Sequence, residues 1–204
     1  MVDRQVRRRG VQDERVLSAM ARVPRELFLP EDVRERAYDD AALPIGGGQT
    51  MSQPYIVAKM SELLSLGGDE RVLDVGTGSG YHAAVLAELA GDVVTIERVP
   101  ALAERARSAL AAAGYDDVDV RVGDGTLGVP DRAPYDAIAV AAAAPVLPES
   151  LYEQLKLGGR IVVPVGGRAN QRLELIVKSP EGPAVVRSVP CRFVPLVGEE
   201  GFRE

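Results

Sequence analysis

Arg71-Val-Leu-Asp-Val-Gly-Thr-Gly-Ser-Gly-Tyr-His-Ala-Ala-Val-Leu-Ala-Glu-Leu-Ala90 is the stretch from which the rest of the chain can be read. It opens with an apolar run over 72–75 broken only by Asp74, then turns through Gly76, Gly78 and Gly80. A helical pattern carrying Ala83, Val85, Leu86 and Leu89 follows. Strand, glycine turn and helix in that order build a nucleotide site, because small residues let a ligand approach the backbone at the helix N-terminus. A second apolar run, Val93-Val-Thr-Ile-Glu97, ends on an acid. Roughly 20 residues past the glycines, an acid there can accept hydrogen bonds from both hydroxyls of a ribose.

The dinucleotide fingerprint is G-x-G-x-x-G, with a pyrophosphate over the turn. Here the spacing is G-x-G-x-G, and Asp74 stands two residues before the first glycine. A carboxylate at that turn repels a pyrophosphate and attracts a cation, by roughly 4 kcal/mol for a unit pair about 4 Å apart near a protein surface. S-adenosylmethionine carries an ammonium and a sulfonium and no phosphate, so it is the expected ligand. A tight turn without a ligand accounts for the glycines but not for two placed acids.

Composition narrows the class. With 204 residues, 46% of them hydrophobic, the chain suits a single α/β domain. Its net charge of -6 argues against a general affinity for nucleic acid. Cys191 is the only cysteine, which excludes an internal disulfide and a multi-cysteine metal site, and no metal is expected. His82 is the only histidine, so any Ser-His-Asp or His-Cys arrangement would have to use that ring. The absence of a long apolar span or an N-terminal hydrophobic segment leads to the expectation of a cytoplasmic protein with no membrane contact, and a monomer is expected.

Reading outward, the first forty residues are helical. Val2 and Val6 with Arg4, Arg7, Arg8 and Arg9 make an amphipathic turn that Gly10 ends, its arginines read as a solvated face. Asp13 caps a second helix burying Val16, Leu17 and Met20, and Pro24 and Pro30 bracket a compact turn. Residues 37–55 hold too many turn formers for regular structure and read as a long functional loop. Ser52 then caps a helix that buries Ile56, Val57, Met60, Leu63 and Leu64. Beyond the central stretch, strands are expected over 118–122, 135–140 and 158–166, with helices over 101–113 and 148–155. Strands over 173–178 and 185–195 follow with no helix between them. The expected fold is therefore α/β: a doubly wound, mostly parallel seven-stranded sheet with an N-terminal helical extension and antiparallel C-terminal strands. Residues 1–66 supply the helices and loop of this single domain, 1–204, and residues 67–204 the core. Ligands in such sheets bind at the carboxyl ends of the strands. There Gly76, Gly78, Glu97, Asp124 and Ala141 converge.

At this point the chain resembles the protein-L-isoaspartate (D-aspartate) O-methyltransferase family. The resemblance runs nearly end to end, through Val23-Pro-Arg-Glu-Leu-Phe-Leu-Pro30, Leu43-Pro-Ile-Gly-Gly-Gly-Gln-Thr-Met-Ser-Gln-Pro-Tyr55, Gly123-Asp-Gly125 and Arg192-Phe-Val-Pro-Leu196. Many methyltransferases share the glycine turn, whereas Gly-Gln-Thr-Met-Ser-Gln-Pro is specific. The resemblance implies the Rossmann-like class I methyltransferase fold, with S-adenosyl-L-methionine as cofactor and S-adenosyl-L-homocysteine as product. It implies Ser52 as the active-site serine, on a loop that closes over cofactor and substrate. Thr50, Gln53, Asp74, Gly76, Thr77, Gly78 and Glu97 would bind the cofactor, with Asp124 and Gly125 on its adenine side. Ala141, Ala142, Ala143, Val194 and Leu196 would wall the site for isoaspartyl peptides and proteins. Ala141 stands where many members have threonine, and His82 where glutamine is common.

The implied reaction moves a methyl from a sulfonium to the free carboxylate of an isoaspartyl residue. That carboxylate is ionised at neutral pH, its unperturbed pKa being about 3.5, so no general base is needed. In-line orientation, which can supply roughly 7–11 kcal/mol, and exclusion of water carry the catalysis. Two alternatives stay open: a methyltransferase of the same fold acting on a small molecule or RNA, and a binding module without catalysis.

Overall fold

The computed structural model describes residues 1–167 and 169–203. Its N-terminal part follows the local signals closely. A π-type turn (Val2–Val6) and a 3-10 turn (Arg7–Arg9) end at Gly10, which has φ +95°. Arg7 pairs with Glu14, and Arg9 lies over the Tyr55 ring beside Asp40. Asp13 caps α1 (Glu14–Arg22) by accepting from the Arg15 and Val16 amides. Two 3-10 turns, Arg25–Phe28 and Glu31–Arg36, lead to the loop.

Residues 37–55 depart from the irregular loop expected. They contain a hairpin of β1 (Leu43–Gly46) and β2 (Gln49–Met51), in which Leu43 faces Met51. Gly46, Gly47 and Gly48 all have positive φ, so the glycine run that argues against a strand supplies the turn between two short ones. Ser52 is not the cap of α2 (Pro54–Leu64). Gln53 occupies that position, and no side chain caps the helix. Ile56, expected in the core, is only half-buried.

β3 (Arg71–Val75), α3 (Tyr81–Ala87), β4 (Asp92–Glu97), α4 (Pro100–Ala112) and β5 (Asp119–Val122) alternate as read. They are followed by β6 (Tyr135–Val140), α5 (Glu149–Glu153) and β7 (Leu155–Gly166). The chain then turns back through β8 (Gln171–Ser179) and β9 (Gly182–Cys191), a strand that stops four residues short of the expected end. Among the described residues the large sheet has seven strands in the order β5-β4-β3-β6-β7-β8-β9, parallel up to β7 and antiparallel beyond.

Alternation along the strands divides the core. Val72, Val93, Ala137, Ala139 and Val162 pack with residues of α1 to α4 on one face. Leu73, Val75, Val94, Ile138, Val140 and Ile161 pack with Leu151 of α5 and Leu196 on the other. The strand order reverses between β3 and β6, so the crevice for a ligand opens where these two strands end. There the Ala141 amide donates to the Val75 carbonyl at 2.8 Å.

Candidate active site

The turn after β3 is built on Gly76, Gly78 and Gly80, with φ of +96°, +54° and +91°. Four of the five amides over 76–80 are already engaged. Those of Gly76 and Thr77 donate to the Ile96 carbonyl, that of Gly80 to Thr77, and that of Gly78 to Glu97 Oε2 at 2.9 Å. A pyrophosphate would need such N–H groups free. This turn is therefore shaped for a ligand without phosphate, by a route other than the free helix N-terminus that the glycines imply.

Glu97 ends β4 and is 7% exposed. Each of its oxygens accepts one backbone amide, Gly78 on Oε2 and Val99 on Oε1 at 2.9 Å. A carboxylate has about four acceptor positions, so one remains on each oxygen for a pair of ribose hydroxyls. Gly76, Thr77, Gly78, Glu97 and Gly125 line an inner cavity at the strand ends. A Cβ on Gly125 would lie 2.7 Å from Val75 Cγ1, so glycine is what lets this turn pack directly against the end of β3.

Asp74 does not line this cavity. It shares the face of β3 with Val72, so its carboxylate points beneath α2 and α3 and is fully buried. Oδ2 accepts from Thr95 Oγ1 at 2.8 Å, and Oδ1 lies 3.2 Å from His82 Nδ1. Thr95 has one proton and gives it to Asp74. Thr77, 2.6 Å away, must then donate to Thr95, which leaves the Thr77 hydroxyl with acceptor capacity only. Asp74 thus bears on the cavity only through the hydroxyl chain that ends at Thr77, which lines it.

His82 Nε2 lies 3.3 Å from Ser61 Oγ, so Ser61, His82 and Asp74 stand in the order of a hydrolase triad. Ser61 is fully buried, and its hydroxyl also reaches the Val57 carbonyl at 3.0 Å. No substrate can approach Ser61; Asp74 Oδ1 accepts no hydrogen bond among the described residues, and His82 also borders the inner cavity.

Asp124 also lies off the cavity. Oδ1 accepts from the Thr126 amide and hydroxyl, and Oδ2 from the Glu199 amide at 2.8 Å. Burial would raise its pKa, but the bonds from Glu199 and Thr126 outweigh burial and hold it below the ordinary value. Asp124 thereby ties the C-terminal segment down, and Gly125 alone of the pair faces the ligand space.

An outer cavity adjoins the inner one, and Thr50, Ser52, Ala141, Val194 and Pro195 border both. Gln53 lies on the outer side, where its Nε2 donates to Asp40. Ala142 and Leu196 line the inner side. Ala143 lines neither: it is buried, pairing its amide with the Val194 carbonyl at 2.8 Å and its carbonyl with the Leu196 amide at 2.7 Å. It holds the 194–196 arm in place. Ser52 Oγ has no hydrogen-bond partner among the described residues, whereas its carbonyl accepts from Arg25. Tyr81 and Val99 also line the inner cavity and were not anticipated, although Val99 lies two residues past the ribose acid.

A family model described as protein-L-isoaspartate(D-aspartate) O-methyltransferase matches residues 1–201. Protein-L-isoaspartate O-methyltransferase 1 of Rhodopseudomonas palustris strain HaA2 is 57% identical over 204 residues, covering 99% of this chain and 83% of that protein. The protein-L-isoaspartate O-methyltransferase of Methanoculleus marisnigri is 54% identical over 206 residues, covering 100% and 92%. A solved protein-L-isoaspartate O-methyltransferase superposes with a TM-score of 0.88 at 30% identity, over 98% of this chain and 67% of that one. A structure from Plasmodium falciparum, described as a beta-aspartate methyltransferase in complex with S-adenosyl-L-homocysteine, superposes at 0.82 with 26% identity, over 94% of each chain.

Proposed function

The chain belongs to the protein-L-isoaspartate(D-aspartate) O-methyltransferase family, and from that premise we propose how its crevice divides the work between cofactor and substrate. The enzyme methylates the free carboxylate of L-isoaspartyl and D-aspartyl residues in damaged proteins and peptides. S-adenosylmethionine, when bound, supplies the methyl group and its positive charge. Gly76, Thr77, Gly78, Glu97 and Gly125 hold it in the inner cavity, with Glu97 on the ribose hydroxyls and the acceptor-only Thr77 suited to an ammonium.

The outer cavity takes the peptide, against Ala141, Val194 and Pro195. Ser52 stands on the border, its hydroxyl uncommitted, and donates a hydrogen bond to one carboxylate oxygen so that the other is aimed inward. The observation that carries this reading is that border, where a free hydroxyl separates a phosphate-averse inner pocket from an outer cleft. No proton has to be removed, so the sole histidine, which borders the inner cavity between Asp74 and Ser61, needs no catalytic role.

The chain works as one domain, since residues of α1 and α2 share a core with the sheet. It acts as a monomer in the cytoplasm, a reading supported by a crevice built within one chain and by a cofactor made inside cells. Gel filtration and cell fractionation test these two points.

Ser52→Ala tests the division of work. Losing a charged hydrogen bond of roughly 1.5–3 kcal/mol corresponds to about ten- to a hundredfold in rate. Turnover at saturating cofactor should fall by that factor, with S-adenosylhomocysteine binding and melting temperature nearly unchanged, because Ser52 caps no helix. Parental turnover would overturn the role given to Ser52.

A further inference from the structure

Arg25 is among the largest fully buried side chains of the protein, and no carboxylate pairs with it among the described residues. Burying a guanidinium is costly, and a merely packed position would favour an apolar side chain of similar volume. Its bonds point to another purpose. Nε donates to the Ala37 carbonyl and Nη2 to the Ser52 carbonyl, both at 2.7 Å. These residues begin and end the segment that carries the β1–β2 hairpin. The guanidinium also lies 4.6 Å from the centre of the Tyr81 ring, which lines the inner cavity. Two donors on one rigid plane suit this task, and a single ammonium does not reproduce them.

We propose that Arg25 is a positioning residue for methyl transfer: by clamping the Ala37 and Ser52 carbonyls it closes the base of the 37–52 segment and fixes where the Ser52 hydroxyl stands between the two cavities. The inference rests on the reading of Ser52 given above. Arg25 touches neither ligand cavity, and it acts only through the backbone it holds.

The test is a double-mutant cycle of Arg25→Lys and Ser52→Ala. Turnover is measured at saturating S-adenosylmethionine and isoaspartyl peptide, per mole of S-adenosylhomocysteine sites counted by calorimetry, so that unfolded protein does not enter. Arg25→Lys should lower turnover per site at least about tenfold, with S-adenosylhomocysteine affinity within about threefold of the parent. In the Ser52→Ala background the same change should cost less than about threefold, because the group being positioned is gone. Equal factors in both backgrounds would overturn the inference, and so would parental turnover in Arg25→Lys beside a slow Ser52→Ala. Parental turnover in Ser52→Ala would instead overturn the Ser52 reading and with it the route by which Arg25 acts. Should Arg25→Lys give no cofactor-binding protein, the parent enzyme labelled with 15N-arginine supplies the test. An Nε–H protected from exchange should shift on saturation with isoaspartyl peptide, and the inference fails if no protected Nε–H moves.

Discussion

Glu97, Asp74 and His82 surround one turn, yet the structure gives them different work. Glu97 faces the ligand space with an open acceptor position on each oxygen, so Glu97→Ala should weaken S-adenosylhomocysteine binding by roughly 1.5–3 kcal/mol. Asp74 is sealed behind the turn, and Asp74→Asn should lower the melting temperature while costing less cofactor affinity than Glu97→Ala. Calorimetry and thermal melts on both variants check the order, and a larger affinity loss in Asp74→Asn would reverse the assignment. His82→Gln keeps a side chain able to bond Asp74 and Ser61, so turnover should stay within about tenfold of the parent. A hundredfold loss in folded protein would make His82 catalytic. The period-two alternation of Val72, Leu73, Asp74 and Val75 was legible in the sequence and already separates Asp74 from Val75. Which of the two faces lies under α2 and α3 was not, because that depends on where distant helices pack. The contact between Ser61 and His82 was hidden for the same reason.

At the scale of elements, the hairpin of β1 and β2 decides how the crevice is covered. It is tied at both ends by Arg25 and at Ile45 by Arg105 of α4, whose Nη2 donates to the Ile45 carbonyl at 2.7 Å. Arg105→Gln should therefore speed proteolysis within residues 42–51 several-fold, with a stability loss under about 1 kcal/mol because the arginine is largely exposed. Mass spectrometry of a limited digest reads the result, and cleavage elsewhere at an unchanged loop would contradict it. The strands and helices of the core were legible to within a few residues because their apolar periods are clear. The hairpin was not: three consecutive glycines carry no period, and strands of three and four residues are fixed by their pairing rather than their composition. The Ser52 cap failed on a related point, since Pro54 sets the first helical position and moves the cap to Gln53.

For the molecule as a whole, the titratable groups define a window of stability. Burial alone would raise the Asp92 and Asp136 carboxyls, but bonds from Arg71 and Arg132 on Asp92, and from Lys156 and the Arg71 amide on Asp136, hold both below the ordinary value. A folded pKa below the unfolded value gives stability that is present above about pH 4 and is lost as pH falls through the folded value. On the alkaline side burial pushes Tyr81 and Tyr135 up to about 12. For these phenols the contribution is present below an unfolded value of about 10 and is lost as pH rises toward the folded one. The melting temperature should be level between about pH 5 and 9 and fall on both sides, and a step between about pH 6 and 7 would contradict these groups as its source.

The same scale holds the central claim, that one chain with an inner cofactor pocket and an outer peptide cleft repairs isoaspartyl sites. The direct measurement is transfer of a labelled methyl from S-adenosylmethionine to a peptide containing one isoaspartyl residue, beside its twin with a normal aspartyl residue at that position. The account predicts base-labile label on the isoaspartyl peptide and background on its twin. Equal labelling of both peptides, or of neither while S-adenosylmethionine still binds, would contradict it.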